Sequence, residues 1–381
     1  MAPVSTRAAI SALFFVNGLL VGSWAPKIPA LMARHGFTEA TAGVLVLLLG
    51  LGSLCVMPLF GAMVARAGSA RAVRLAAWLL ASGLVWITLA PELLSLGLAV
   101  LAFGGLVGGM DVAMNANAVA VERSLGRAIM SSCHGFWSLG AFAGAGAGGI
   151  AIQGFGELPH ALAVTVLFAA VLLAVAPRLL ADGPAPGAAR VPLRLPRTPL
   201  PYLIGLMALA SMIPEGAILD WAAVYLEREM GASLALAGWG FAACAGAMAV
   251  MRFLGDRLRR RFGAVRTLRV STLLAMAGLV VAGLAEGPVP AIAGFALAGL
   301  GIANMVPIAF SAAGNVPGLA AGMGLSVVTM MGYSGILLAP GGIGWLAERM
   351  SLGTIYIALG LLLLVPLLLS RLARTADFEA P

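Results

Sequence analysis

Three carboxylic acids interrupt runs that are otherwise apolar: Asp111, Glu215 and Asp220. Asp111 sits about 11 residues inside its run, about 16 Å deep at about 1.5 Å per helical residue. Glu215 is about as deep in its own run, and Asp220 lies a turn or more beyond it. Charge at such depth in a nonpolar medium is costly unless it pairs or faces a polar cavity. No Lys or Arg stands at a matching depth in this reading, so the three acids lack a permanent ionic partner. A carboxyl so placed can take up and release a proton as its surroundings change. The plain alternative is a protonated acid hydrogen-bonded to a neighbouring helix.

Other polar residues stand near these acids. His134 is one turn from Ser131, Trp137 and Ser138, and imidazole relays protons. A structural histidine bonded to a serine or carbonyl is an equal alternative. Asn115 follows Asp111 by one turn on the same face, so both can reach one polar solute. Asn117 points elsewhere. Asn17, Asn304 and Asn315 are either ligand contacts or interhelical hydrogen bonds. Trp24, Trp221 and Tyr225 can stack on sugar rings or anchor at a membrane interface. Enzyme chemistry lacks its usual patterns. His35, His134 and His160 share no H-x-x-x-H or H-E-x-x-H spacing, and no Walker or dinucleotide fingerprint is present. Cys55, Cys133 and Cys244 form no metal motif and read as packing residues. Neither a metal nor a cofactor is expected.

The elements that hold these residues follow from composition. Of 381 residues, 61% are hydrophobic and 10% charged, against about 25% charged in a soluble domain. The mean hydropathy is +1.03. A soluble fold could not cover that much apolar surface, so soluble enzymes, disordered chains and nucleic-acid-binding domains are set aside. Spans of about 20 apolar residues cross a bilayer as helices. Twelve are expected, near 8–32, 40–65, 72–90, 94–121, 128–153, 160–181, 200–226, 234–255, 267–286, 290–313, 321–346 and 352–372. The runs are too long, and too little alternating, for an outer-membrane barrel. With an even number of spans both termini share a face, and 19 of the 23 basic residues fall there. Only Lys27, Arg34, Arg228 and Arg349 fall opposite. The positive-inside rule makes the crowded face cytoplasmic. Dispersed over short loops, these arginines report topology rather than nucleic-acid binding. The N-terminal run is longer than a signal-peptide core, and more spans follow it.

Residues 182–198 are rich in Pro and Arg and read as a cytoplasmic linker. They divide an N-terminal six-helix bundle (1–181) from a C-terminal one (199–381). The halves share landmarks in common order: Ser23-Trp24 with Asp220-Trp221, then Leu31, Gly36 and Gly43 with Leu226, Gly231 and Gly238. Arg66 pairs with Arg257, and Phe103…Asp111 with Phe295…Asn304 after one residue of slippage. Such duplication is the pattern of parallel-repeat transporters. The 2–3 loop, Gly61-Ala-Met-Val-Ala65-Arg66-Ala-Gly68-Ser-Ala-Arg71, is similar to the G-x-x-x-D-R-x-G-R-K/R motif of the major facilitator superfamily, with Ala65 in place of the acid. The 8–9 loop keeps Asp256-Arg257 and loses the first Gly. The runs around Gly109–Asn115, Ser131–Ser138 and Glu215–Trp221 resemble a bacterial branch labelled rhizopine or mannopine transport-like, related to fucose-type sugar permeases.

The resemblance implies an all-α fold of twelve transmembrane helices in two pseudo-symmetric six-helix bundles, with spans 1, 4, 7 and 10 lining a central cavity. The expectation is a proton-coupled secondary transporter of a sugar, polyol or sugar-like derivative, working by alternating access. Its partners would be the solute, protons and the lipid bilayer, and it would act as a monomer in a bacterial inner membrane. Proton coupling would rest on Asp111, Glu215, Asp220 and His134. Solute binding would rest on Asn17, Trp24, Asp111, Asn115, Trp137, Glu215, Trp221 and Asn304. Arg66, Arg71, Arg257 and Arg260 would gate by pairing with Asp256 or Glu122. Pro214-Glu215-Gly216 should break span 7, and Pro26 and Pro29 span 1. Glycines 140, 144, 146, 148 and 149 in span 5 should allow close helix packing, with Pro340-Gly341-Gly342 as their counterpart. A proton-driven exporter of drugs or metabolites is the nearest alternative. A channel and a membrane-embedded enzyme are more remote.

Overall fold

The computed structural model describes residues 3–125, 129–183, 196–316 and 323–377, apart from a few side chains within them. Most of the expected linker, residues 184–195, lies outside this set. Twelve helical spans among the described residues are long and apolar enough to cross a membrane. They are α1 (Ser5–His35), α2 (Glu39–Ala67), α3 (Ser69–Leu89), α4 (Leu93–Glu122), α5 (Ser132–Phe155) and α6 (Glu157–Arg178), then α7 (Leu200–Glu229), α8 (Leu234–Gly255), α9 (Ala264–Gly283), α10 (Pro288–Ala313), α11 (Val327–Ala347) and α12 (Leu352–Ala376). Each overlaps its expected run. No strand occurs among the described residues.

The helix breaks divide as local chemistry dictates. α1 is interrupted by the turn Ser23–Pro26, at the expected Pro26, whereas Pro29 lies in the first turn of the helix that resumes over Lys27–His35. α7 corrects the expectation at Pro214, because Leu200–Val224 is one continuous helix with Pro214 inside it. A proline forfeits a single backbone hydrogen bond, and membrane helices tolerate this where neighbours cover the freed groups. Regular α-helix ends instead at Tyr225–Glu229, which winds as a π-helix.

The packing repeats after six spans. α1 packs on α5 and α6, and α4 on α2 and α3; likewise α7 packs on α11 and α12, and α10 on α8 and α9. Contacts of α5 with α8 and of α2 with α11 join the two sets. The repeat has a fixed register of 195 residues. Gly36 and Gly231 end helical stretches with φ of 67° and 63°, and Gly68 and Gly263 separate helices with φ of 84° and 78°. Only glycine adopts these left-handed values without strain. A side chain on Gly104 would strike the Leu49 carbonyl, and one on Gly299 the Cys244 carbonyl. At the face opposite the chain ends, Gly43 meets Gly344 while Gly238 meets Gly149. Gly140 and Gly144 lie against α1, so the expected glycine packing in span 5 is observed.

This register corrects three of the expected correspondences. Trp24 matches Leu219 rather than Trp221, Arg66 matches Arg261 rather than Arg257, and Asp111 matches Val306 rather than Asn304. It also exposes a pair of carboxylate caps. The Ala70 N–H donates to Asp182 Oδ1 at 3.2 Å, and the Ala264 N–H donates to Asp377 Oδ1 at 2.7 Å. Each acid follows the sixth span of its set and closes the N-terminus of the third, where carboxylates are stabilised.

Candidate functional site

Two polar networks cross between the sets of helices. In the first, the Tyr333 hydroxyl of α11 donates to Asp111 Oδ2 at 3.3 Å. The Asn115 amide donates to Asp111 Oδ1 at 3.0 Å and to the Asp111 carbonyl at 2.8 Å. The Asn115 Oδ1 lies 3.2 Å from His134 Nε2, and the Phe14 ring meets the imidazole edge-on at 5.3 Å. The expected shared face of Asp111 and Asn115 is thus realised. Among the described residues the hydrogen-bonding partners of Asp111 are neutral.

In the second network Arg252 of α8 donates to Ser138 Oγ of α5 and to Glu215 Oε1 of α7, the latter at 3.3 Å. This corrects the reading of Glu215 as an acid without a cation. Arg252 counted as a loop arginine, but its long side chain carries the guanidinium inward, and only 13% of it stays exposed. Snorkelling of this kind moves a charge well away from its own backbone. His134 and Ser138 are one turn apart on α5, so the two networks meet along one helix face. Asp111, Asn115, His134, Trp137, Glu215 and Arg252 are all only partly buried. Trp137 donates its indole N–H to Asn17 Oδ1 at 2.9 Å, and Asn17 itself is buried.

Nearer the face opposite the chain ends, the third acid has a different setting. The Trp24 indole N–H donates to Asp220 Oδ1 at 3.2 Å, with both residues buried. This bond joins α1 to α7. Arg228 reaches Glu39 at 3.4 Å across the same boundary, and the Ala235 N–H donates to Gln153 Oε1 at 2.9 Å. Lys27 is wholly buried and paired with Glu157 at 3.4 Å, which Arg34 also reaches at 3.4 Å. Cross-set contacts thus seal this face.

Several expected site residues lie elsewhere. Trp221 is 1% exposed, so it is a core residue and neither a stacking platform nor an interfacial anchor. Trp24 is buried as well, its indole taken up by Asp220. Asn304 sits among α8, α9 and α10, where its amide donates to Ser271 Oγ at 3.4 Å, away from the Asp111 network. Arg66, Arg71, Arg257 and Arg260 are exposed, with no ion pair among the described residues. Their suggested partner Glu122 accepts the Ile129 and Met130 N–H groups at 2.8 and 3.1 Å, closing the start of α5. The side chain of Asp256 lies outside the described residues. Sequence reasoning missed Tyr333 and Arg252. Tyr333 carried a signal, a lone phenol between glycines in an apolar span. Arg252 carried one too, four residues short of the Asp256-Arg257 pair and still inside an apolar run.

Comparison with known proteins gives this architecture its family. Residues 10–340 match the model of the Major Facilitator Superfamily. An uncharacterised MFS-type transporter of Yersinia pestis is 37% identical over 362 residues, covering 95% of this chain and 93% of that protein. Membrane protein MosC of Rhizobium meliloti is 34% identical over 352 residues, covering 91% and 85%. The fold matches the crystal structure of the E. coli fucose:proton symporter FucP with a TM-score of 0.64 at 16% identity, covering all of both chains. The chain belongs to the major facilitator superfamily and is a membrane transporter, not an enzyme.

Proposed function

We propose that the protein is a proton-coupled carrier of a small polar solute, a sugar, polyol or sugar-like derivative, working by alternating access. One observation carries this reading. Asp111 is a membrane-embedded carboxyl whose described hydrogen-bond partners are neutral, and those partners come from both sets of helices. Loss or gain of its proton changes what Tyr333 of α11 and Asn115 of α4 can bond to, which biases how the sets sit together. Asp111, Asn115 and His134 offer donors and acceptors to a hydroxylated solute, and Trp137 beside them offers an apolar ring. Glu215 is held by Arg252 and serves as a charge pair that orients Ser138, leaving Asp111 as the principal coupling group. Asp220 with Trp24 acts as a latch on the sealed face.

In this proposal residues 1–181 and 199–381 are the two moving bundles, and the fixed 195-residue register supports that division. Both termini face the cytoplasm of a bacterial inner membrane, as the arginine distribution favours. The protein works as a monomer. The reading is tested in proteoliposomes with labelled hexoses, hexitols and inositols. Accumulation of one class under an imposed pH gradient, abolished by a protonophore, is the expected result. Accumulation that ignores the gradient overturns the coupling, and failure of every hydroxylated solute overturns the substrate class.

A further inference from the structure

A groove of about 590 Å³ lies between α1, α5 and α6, apart from both polar networks. Its polar end is formed by Arg7 and Ser11 of α1. The rest is apolar, with Phe15 and Val16 of α1, Phe136 and Leu139 of α5, and Val171 of α6. Leu139 is 39% exposed, so the groove opens outward.

We infer that this groove holds one anionic phospholipid from the leaflet at the chain-end face, its phosphate against Arg7 and an acyl chain along Phe15, Phe136, Leu139 and Val171. Three observations carry the assignment. The first is length: from Arg7 to Val16 α1 rises about 14 Å, close to half of a hydrocarbon core about 30 Å thick. One leaflet's acyl chain fits that reach. The second is polarity, since the polar groups gather at the end where a headgroup lies and the remaining lining is hydrocarbon. The third is charge. Arg7 is half-buried and has no ion pair among the described residues, and Arg178 adds an exposed cation at the same end. Arg178 follows Val171 by two helical turns, and the short helix Ala176–Arg178 that carries it packs on α1. Two cations at one end of an apolar slot complement a phosphodiester rather than a zwitterionic headgroup. Among the described residues that line the groove there is no carboxylate or amide to bind a hydroxylated solute.

The test is native mass spectrometry of the full chain in mild detergent, titrated with phosphatidylglycerol and phosphatidylcholine of the same acyl chains. The first phosphatidylglycerol should bind with at least a tenfold preference. R7Q/R178Q should bring the preference within twofold, and substitution of Ala12, which lines the groove on α1, by Trp (Ala12→Trp) fills it beside intact arginines and should do the same. Leu139→Trp replaces Ala12→Trp if that variant does not fold. A preference below twofold in the unaltered chain, or one that survives in R7Q/R178Q or in the groove-filling variant, overturns the assignment. So does a lipid-free dimer that R7Q/R178Q dissociates.

Discussion

Arg252 and Glu215 form the ion pair whose disruption has the most distinctive signature. At 3.3 Å, with side chains 13% and 20% exposed, the pair is largely withdrawn from water. Removing one partner of a fully buried pair costs about 3–5 kcal/mol, because the other charge is left uncompensated. Residual exposure lowers that here, so R252M is expected to cost about 2–3 kcal/mol. E215Q should cost less, about 1 kcal/mol, since the new amide oxygen still accepts from Arg252 and Ser138 keeps its own bond. The double variant E215Q/R252M carries no stranded charge and should be more stable than R252M by about 1–2 kcal/mol. The assay is reversible unfolding in mixed micelles, followed by circular dichroism. A second substitution that rescues the first is a result loss of packing cannot imitate. If E215Q adds its own cost to R252M, with coupling under about 0.5 kcal/mol, the ion-pair account is wrong.

Other outcomes follow from the same geometry. Trp24→Phe removes a hydrogen bond to a carboxyl, worth about 1.5–3 kcal/mol when the acceptor is charged. It should shift the population toward states open at the sealed face, read as longer spin-label distances between positions 38 and 227, which leave the Glu39–Arg228 pair in place; an unchanged distribution refutes the latch. Gly238→Leu or Gly344→Leu wedges α5 from α8 or α2 from α11 and should prevent closure of that face, with the two variants equivalent in the same distance measurement. D182A and D377A each remove a helix cap and should cost about 0.5–2 kcal/mol. Similar losses in chemical denaturation are expected from both, and a large effect in only one half would break the symmetry argument.

Much of the fold was legible because a bilayer imposes length. Runs of apolar residues between arginines located all twelve spans, and the glycines of span 5 announced close helix packing there, though not that α1 is the partner. Asp111 and Asn115 were legible as a pair because helical periodicity places them on one face. The second network was not, since depth counted along the backbone ignores the reach of a side chain. Arg252 looked like a topology marker because its Cα stands near the helix end. Lys27 counted only as a charge on the face opposite the arginines, yet it is buried against Glu157, a pairing across 130 residues that no local pattern encodes. Trp221 and Asn304 misled because an amphipathic residue looks alike from sequence whether it faces solute, lipid or another helix. The duplication was readable from the glycines, which backbone contacts and left-handed turns pin in place, whereas polar landmarks such as Arg66 and Arg257 are held by no such contact and do not share the register.

In the proposed function Asp111 couples proton movement to solute movement, and a single substitution at that position separates the two. D111N keeps a side chain of the same shape and can still bond to Tyr333 and Asn115, but it cannot release a proton. In proteoliposomes loaded with unlabelled solute, D111N should still exchange labelled solute by counterflow, which needs alternating access and no net proton transfer. Under an imposed pH gradient, without internal solute, it should fail to accumulate label above the equilibrium level. Gradient-driven accumulation by D111N at the level of the unaltered protein would contradict the account.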